Sequence, residues 1–218
     1  MLFKNFYTVF HLGPVPIQFW GLFVALGIIL TFIILWKRGS RLGFNTEELL
    51  DVGIYMVIGG FVGARLFHVV FYEPRFFLAR PLDILKFWEG GMSSFGGWFA
   101  AALVFYFFSR KNKVMKENLL KIADLMALAI LFGWILGRVG CVMIHDHLGR
   151  ISSSIFTVQT SDGPRLEMAF LEILGLLPLA VVFLIFQNKK LPAGWFLTVL
   201  FIYYGILRFI LDFFRATD

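Results

Sequence analysis

Six long apolar segments constrain the fold of this chain more than any other feature of its sequence. Each is close to the roughly 20 residues that an α-helix needs to cross the hydrocarbon core of a bilayer. The segments are residues 17–36, 49–72, 93–109, 119–144, 168–187 and 194–214. They predict an all-α polytopic integral membrane protein with about six transmembrane helices, forming a single transmembrane domain over residues 1–218.

The composition agrees with a membrane protein and excludes several other classes. Hydrophobic residues make up 59% of the 218 residues and charged residues 16%, against about 45–50% and about 25% in soluble domains. An ordinary soluble enzyme, a disordered chain and a disulfide scaffold are therefore excluded. The single cysteine, Cys141, cannot form an internal disulfide. Only Lys4 precedes the first apolar segment, and no small-residue cleavage site follows it, so we expect an uncleaved first span.

The distribution of basic residues predicts the orientation in the membrane. Three connecting loops carry ten Lys and Arg in 30 residues: 37–48, 110–121 and 188–193. The segments on the other side carry seven in 69 residues: 1–16, 73–92, 139–167 and 215–218. Because Lys and Arg accumulate on the cytoplasmic side, both termini and the connections 73–92 and 139–167 are predicted to be extracytoplasmic. Most of the net charge of +6 is thus a topology signal, and no nucleic-acid partner is implied.

Three arginines lie within or at the outer ends of apolar segments: Arg65, Arg138 and Arg208. A guanidinium in a bilayer is costly unless it is paired or reaches water, so intramembrane arginines often mark functional sites. The alternative is that each extends its charged end to the lipid headgroups. Arg208 shares one helix face with Asp212 and Arg215, a pattern that also fits a structural ion pair.

Residues 137–150, GRVGCVMIHDHLGR, contain the densest group of reactive side chains. His145 and His147 flank Asp146, and Arg138 and Arg150 bracket all three. Arginine binds phosphate bidentately, and a His or Asp can accept a proton near neutral pH. The segment therefore indicates an anion site with a general base.

Two other interpretations of this segment stay open. His and Asp are zinc ligands, but His145, Asp146 and His147 offer at most three ligands, so we predict neither a metal nor another cofactor. The segment could also be an interfacial loop whose polar side chains only meet water.

The same segment resembles the signature of the prolipoprotein diacylglyceryl transferase family, in which Gly-Arg-x-Gly-Asn leads to an acidic residue and then Gly-Arg. Further similar fragments follow one another along nearly the whole chain, and their order and spacing are specific. They are Leu12-Gly13-Pro14-Val15, Phe19-Trp20-Gly21, Gly63-Ala64-Arg65-Leu66, Phe71-Tyr72-Glu73-Pro74, Trp88-Glu89-Gly90-Gly91-Met92-Ser93, Gly96-Gly97, Ala123-Asp124, Phe170-Leu171-Glu172, Tyr204-Gly205, Arg208-Phe209 and Asp212-Phe213-Phe214-Arg215.

The resemblance implies a bacterial inner-membrane enzyme with its active site toward the extracytoplasmic leaflet. Such an enzyme moves diacylglyceryl from phosphatidylglycerol to the thiol of a lipobox cysteine in a secreted lipoprotein precursor and releases glycerol phosphate. Arg138, Asp146 and Arg208 match the catalytic arginine, acid and arginine of the family. Other matching motif positions are Trp20, Asp124, Gly149, Asp212 and Arg215.

Our candidate site therefore combines these matches with the residue-based analysis. The expected catalytic residues are Arg138, Asp146, His145, His147 and Arg208. The expected substrate-binding residues are Trp20, Arg65, Gly149, Arg150, Asp212 and Arg215. Asp124 and Glu172 are expected to be structural polar residues. The partners implied are phosphatidylglycerol or another anionic phospholipid and a secreted lipoprotein precursor.

The sequence departs from the family pattern at several of its motif positions. The family's His before Gly-Gly in the third span is Phe95, and two signature Asn residues are Cys141 and Ile144. Asp146 stands for a Glu and withdraws the carboxylate by about one methylene. We expect His145 or His147 to supply the base missing at Phe95. A hydroxyl or amine acceptor, a non-catalytic relative that binds anionic lipid or a membrane partner, and a transporter are the alternatives.

Overall fold

The computed structural model describes residues 8–12, 15–87 and 90–216, with side chains from Gln18 onward. The family-like fragments Gly13-Pro14 and Trp88-Glu89 lie outside the described residues. In chain order the helices are α1 (Phe19–Arg41), α2 (Thr46–Phe71), α3 (Pro74–Ala79), α4 (Ser94–Lys111), α5 (Lys113–Glu117), α6 (Leu119–Ile144), α7 (Met168–Phe186) and α8 (Trp195–Asp212). A short 3₁₀ helix covers Pro81–Leu85.

The prediction of an all-α polytopic membrane protein is confirmed. All six apolar segments lie on helices, and five of these are long and apolar enough to cross a membrane: α1, α2, α6, α7 and α8. The third predicted span falls on α4, an 18-residue helix outside that group of five. The predicted span 119–144 and the helix α6 have the same bounds.

Two small antiparallel sheets are additions that the sequence analysis did not predict. One is a hairpin of β1 (Thr8–Leu12) and β2 (Val15–Gln18). The other consists of β3 (Leu148–Ile151), β4 (Thr157–Thr160) and β5 (Gly163–Glu167), in the order β3-β5-β4. The sequence analysis assigned residues 139–144 both to the span 119–144 and to the connection 139–167. They continue α6, so the non-helical connection begins at His145.

The chain divides into two compact units, residues 1–34 with 120–218 and residues 35–119, and the single transmembrane domain stays a prediction. In the first unit α6 is the most buried of the spanning helices. It contacts α1 backbone to backbone, because a Cβ on Gly133 would lie 2.5 Å from the Gly27 carbonyl oxygen. Such glycine contacts allow helices to pack closely in a membrane. An apolar core from α6, α7 and α8 centres on Leu131, Leu176 and Phe183.

The start of α8 is fixed by a side chain of α6. Gly194, the residue before α8, has a φ of 92° and no side chain with which to cap the helix. Asp124 accepts hydrogen bonds from the Gly194 N–H at 2.7 Å and the Leu197 N–H at 2.9 Å. A carboxylate at this position satisfies free N–H groups of the first turn and interacts favourably with the helix dipole.

Candidate active site

A buried carboxylate joins two of the predicted arginines. Glu172 of α7 has 3% of its side chain exposed. Arg138 Nε on α6 lies 2.8 Å from Glu172 Oε1, and Arg208 Nη1 on α8 lies 3.6 Å from Oε2. Tyr204, one turn before Arg208, donates its hydroxyl to Oε1 at 3.4 Å. The structure therefore brings the predicted residues of three helices together around Glu172, with the pairing that buried charges require.

The cluster continues along α8 toward its exposed end. Asp212 Oδ1 lies 3.2 Å from Arg208 Nε and 3.5 Å from Arg215 Nη1. Side-chain exposure rises from Arg138 through Arg208 to Arg215, from 16% to 31% and 45%. Three guanidinium groups thus share two carboxylates, which leaves an excess of positive charge, and Arg208 and Arg215 are the more accessible ones.

A narrow cleft opens over this cluster. Its volume is about 10 Å³, and it is lined by Arg138, His147, Met168, Ala169, Glu172, Arg208, Leu211 and Arg215. This is room for about one water molecule. A phosphate group can enter only if Arg208 or Arg215 rotates outward, which their partial exposure allows.

His147 and Asp146 form a pair beside the cleft. His147 Nδ1 lies 3.0 Å from Asp146 Oδ2, and both side chains are partly exposed. The contact with His147 lowers the pKa of Asp146, so this carboxyl group is ionised at neutral pH and can orient the imidazole. Because His147 also lines the cleft, it is the histidine that stands next to the arginines.

His145 contacts a different acid. Its φ of 52° is the one positive φ among the non-glycine residues that the structure describes, and His145 Nδ1 lies 2.6 Å from Glu167 Oε2. Both residues line a separate apolar cavity. The sequence analysis gave the two histidines as equivalent candidates for the base. In the structure they line different cavities.

Cys141 completes a group of possible metal ligands. One ligand atom each from Cys141, Asp146 and His147 lies within 4.8 Å of the others. The sequence analysis grouped the two histidines with Asp146, whereas here Cys141 takes the place of His145. Arg138 Nη1 lies 3.9 Å from Cys141 Sγ, and a guanidinium so close repels a cation. The electrostatics thus favour an anion over a metal.

Trp20, Gly149 and Arg150 surround the cluster through packing. Trp20 of α1 packs against α6 next to Cys141, since a Cβ on Gly140 would lie 3.2 Å from the Trp20 Cα. Gly149 forms a β-bridge with Arg215, and a Cβ on Gly149 would lie 2.5 Å from the Phe214 carbonyl oxygen. The Arg150 N–H donates to that same oxygen at 2.9 Å, and its guanidinium lies 4.7 Å from the centre of the Phe214 ring. Gly149 and Arg150 therefore contact the residues directly after α8, which include Arg215.

Arg65 has a different environment, inside the unit of residues 35–119. Its side chain is buried, and it makes five hydrogen bonds, all to backbone carbonyl oxygens. The acceptors are Asp83, Ile84, Lys86, Gly90 and Gly91. A guanidinium has five N–H donors, so Arg65 has no donor left for a phosphate. We infer that it organises the backbone of residues 83–86 and 90–91 rather than binding substrate.

Three further residues of interest lie outside the expected site residues. Phe95, in place of the family's histidine, packs edge-on against Phe67 with ring centroids 5.4 Å apart. Tyr204 was quoted only within the Tyr204-Gly205 fragment, and Glu167 was not singled out from the sequence. The signal for Glu167 was an acid directly before a long apolar segment, where a helix dipole favours negative charge.

Comparison with known proteins identifies the same family along the chain. A family model described as prolipoprotein diacylglyceryl transferase matches residues 7–218. Three relatives are each named phosphatidylglycerol–prolipoprotein diacylglyceryl transferase. The protein from Cupriavidus necator is 33% identical over 95% of this chain and 79% of its own length. The protein from Rickettsia akari is 34% identical over 100% of this chain and 87% of its own length. The protein from Bordetella avium is 33% identical over 95% of this chain and 81% of its own length.

Proposed function

Because the chain belongs to the prolipoprotein diacylglyceryl transferase family, we propose that it transfers diacylglyceryl from phosphatidylglycerol to a cysteine thiol of a prolipoprotein. The single observation that carries this proposal is the convergence of Arg138 and Arg208 on Glu172, which brings together residues of three helices. Guanidinium pairs suit a phosphodiester.

The arginines bind the donor phosphate in this proposal. Arg208 and Arg215 rotate away from Asp212 and bind the phosphate, while Arg138 stays against Glu172. Exchange of one anion for another keeps each guanidinium paired, so the opening costs little electrostatic energy. The net positive charge of the cluster favours the incoming lipid.

The His147–Asp146 pair then activates the acceptor. His147 takes the proton of the thiol, and the thiolate attacks the glyceryl carbon that carries the phosphate oxygen. A carbon–sulfur bond forms, the carbon–oxygen bond breaks, and its electron pair leaves on glycerol phosphate. The arginines stabilise the additional negative charge on this leaving group, and His147 passes its proton to the leaving phosphate or to water.

The proposal also includes the location of the active site and the two substrates. The distribution of Lys and Arg supports an active site at the extracytoplasmic leaflet of a bacterial inner membrane. There a phospholipid headgroup and an exported peptide meet. A purely lipid-binding role is not favoured, because an acid–base pair stands directly beside the phosphate-binding arginines.

A reconstituted assay tests the activity. Purified protein in liposomes that contain phosphatidylglycerol labelled in its headgroup glycerol is mixed with a cysteine-containing acceptor peptide. Released glycerol phosphate and the mass of the peptide are measured. We expect both products from the native protein and a loss of about 10²–10³-fold in rate for Arg138→Ala.

Arg75→Ala provides the matched control, because Arg75 is exposed and lies outside the cluster. It should leave the rate unchanged. No product from the native protein, or an equal rate from Arg138→Ala, would contradict the proposal.

A further inference from the structure

The second cavity, next to His145, has no role in the reaction described above. Its volume is about 360 Å³, within the range of small-molecule binding pockets. Its walls are apolar side chains from the end of α6, from β4 and the two residues before it, and from the start of α7. Val142, Phe156, Val158 and Phe170 represent these three elements.

One buried carboxylate interrupts the apolar wall. Glu167 is 4% exposed, and its Oε2 contacts His145 Nδ1 at 2.6 Å. Its Oε1 is buried without a hydrogen bond of ordinary geometry among the described residues, although the Ala169 backbone N–H also interacts with this carboxylate. Burial raises the pKa of Glu167. A buried acceptor without a partner is costly, so this oxygen favours a ligand that brings a hydrogen-bond donor.

The backbone at His145 supports a functional interpretation of this pair. A positive φ is uncommon for a residue other than glycine, and strained residues concentrate at binding sites because the surrounding structure must hold them. Here the contact with Glu167 fixes the imidazole at the cavity wall.

The strand beside the cavity has a free edge. In the sheet order β3-β5-β4, β4 pairs with β5 on one side, and no described strand pairs with its other side. Such an edge can bind an extended peptide through main-chain hydrogen bonds, while pockets beside it select alternate side chains. Residues of β4, Thr157 and Val158, also line the cavity.

These observations together favour a peptide over a lipid tail. An acyl chain carries no donor and would leave Glu167 Oε1 without a partner, whereas an extended peptide brings both an apolar side chain and N–H groups. We propose that the acceptor peptide lies along the free edge of β4, inserts one apolar side chain into this cavity and donates an N–H to Glu167.

This inference rests on the proposed function for the identity of the peptide as the acceptor. Glu167 lines the apolar cavity and the next residue, Met168, lines the arginine cleft. A few residues of extended chain, at about 3.3 Å each, therefore connect the cavity with the reacting thiol.

Binding of labelled peptides tests the inference without requiring turnover. The full chain is placed in nanodiscs of phosphatidylcholine, so no donor is present. Fluorescein-labelled octapeptides with one Cys and one Leu, one to four residues apart, are titrated by anisotropy. We expect one spacing to bind at least about tenfold more tightly than the others, because only one register satisfies both sites.

Val142→Phe fills the cavity and should weaken the preferred peptide about tenfold. Val181→Phe is the matched control, because it makes the same change at an exposed position of α7. A second measurement needs no protein variant. N-methylation of successive peptide residues should weaken binding at every second position only, since alternate N–H groups of a strand face its partner.

Equal affinity at all spacings, or no effect of N-methylation, would overturn the inference. So would cross-linking of the cavity residues by phosphatidylglycerol with a photoreactive acyl chain, because a lipid tail would then be the occupant. A peptide that binds with the expected preference but is never modified would overturn the proposed function alone. A peptide that is modified without any spacing preference would overturn the cavity assignment alone.

Discussion

Two regions of the molecule place arginines at the ends of apolar helices, and they treat the positive charge in opposite ways. Arg65 is surrounded by five carbonyl oxygens from residues 83–91. Arg138 and Arg208 share one carboxylate from a neighbouring helix. The first guanidinium has all its donors used by neutral backbone groups, whereas the second pair contacts a shared anion.

The difference teaches that the partners of a buried arginine, rather than its burial, indicate its role. A phosphate that displaced the carbonyl groups around Arg65 would leave them without hydrogen bonds in a buried place. A phosphate that displaces a carboxylate replaces one anion by another. Of the two regions, only the arginine cluster can therefore exchange a partner, Asp212 of Arg208 and Arg215, for a substrate phosphate.

Arg65→Lys should separate the two regions with the largest effect. Lysine has three donors on one atom, so at least two carbonyl groups lose their partner, and we expect a loss of stability on the order of 3 kcal/mol. Thermal unfolding in detergent should show it, while the rate per folded molecule stays near the native value. Arg75→Lys is the control. Native stability with a lost rate would instead place Arg65 in substrate binding, as the sequence analysis expected.

Asp146→Asn should give an intermediate effect, on rate rather than on stability. The neutral amide no longer orients His147 through an ionic contact, and we expect a loss of about 10–100-fold, part of what a general base contributes. The lowered pKa of Asp146 means that its stabilising contact persists above the ordinary carboxyl pKa and is lost only as pH falls through the lowered value. Asp146 therefore stays ionised across neutral pH, and its own titration should not change the defect there.

Asp162→Asn is the matched control for this substitution, since Asp162 is an exposed acid in the turn between β4 and β5. Turnover between pH 6 and pH 8 provides the measurement. If Asp146→Asn were as active as the control, His147 would not be the base, and a catalytic role for the region around the arginine cluster would be contradicted.

Glu167→Gln should have the smallest effect, and it should depend on pH. Burial raises the pKa of Glu167 above its unfolded value, an effect that contacts with His145 and His147 partly offset. A raised carboxyl pKa contributes stability that is present below the unfolded pKa and lost as pH rises through the folded pKa. The melting temperature of Glu167→Gln relative to the native protein should therefore be higher at pH 8 than at pH 5.

Glu73→Gln serves as the control for that titration, because Glu73 is exposed and also lies near a histidine, 3.9 Å from His68 Nε2. The effect of Glu167→Gln is taken as its difference from this control at each pH. A flat profile for both variants would show that Glu167 is not held in an apolar environment.

The helices were predictable from the sequence because one physical quantity, the length of an apolar run, defines them. The sheet of β3, β4 and β5 was not, because its strands have four or five residues each and lack a distinct alternation of apolar residues. Long-range pairing, such as Gly149 with Arg215, defines this sheet and has no local signal.

The candidate site was predictable where charge alone identified its members. Arg138, Arg208 and Glu172 stood out because few charges occur in the spans. The five hydrogen bonds of Arg65 could not be predicted, because a sequence does not show which backbone carbonyl groups surround a side chain. The separation of His145 from His147 was not predictable either, because it coincides with one positive φ, at His145 directly after α6, that has no distinct sequence signal.

The hydrogen bonds of Asp124 have a geometric consequence for the distant cluster. Asp124 joins α6 to the first turn of α8 at Gly194. Arg138 lies fourteen residues after Asp124, and Arg208 lies fourteen residues after Gly194. At 1.5 Å per residue, both arginines stand about 21 Å, close to four full turns, from the same joint. Because α6 and α8 are joined at one level and each arginine is the same number of residues from that joint, the two guanidinium groups lie at the same height. A single carboxylate can therefore contact both.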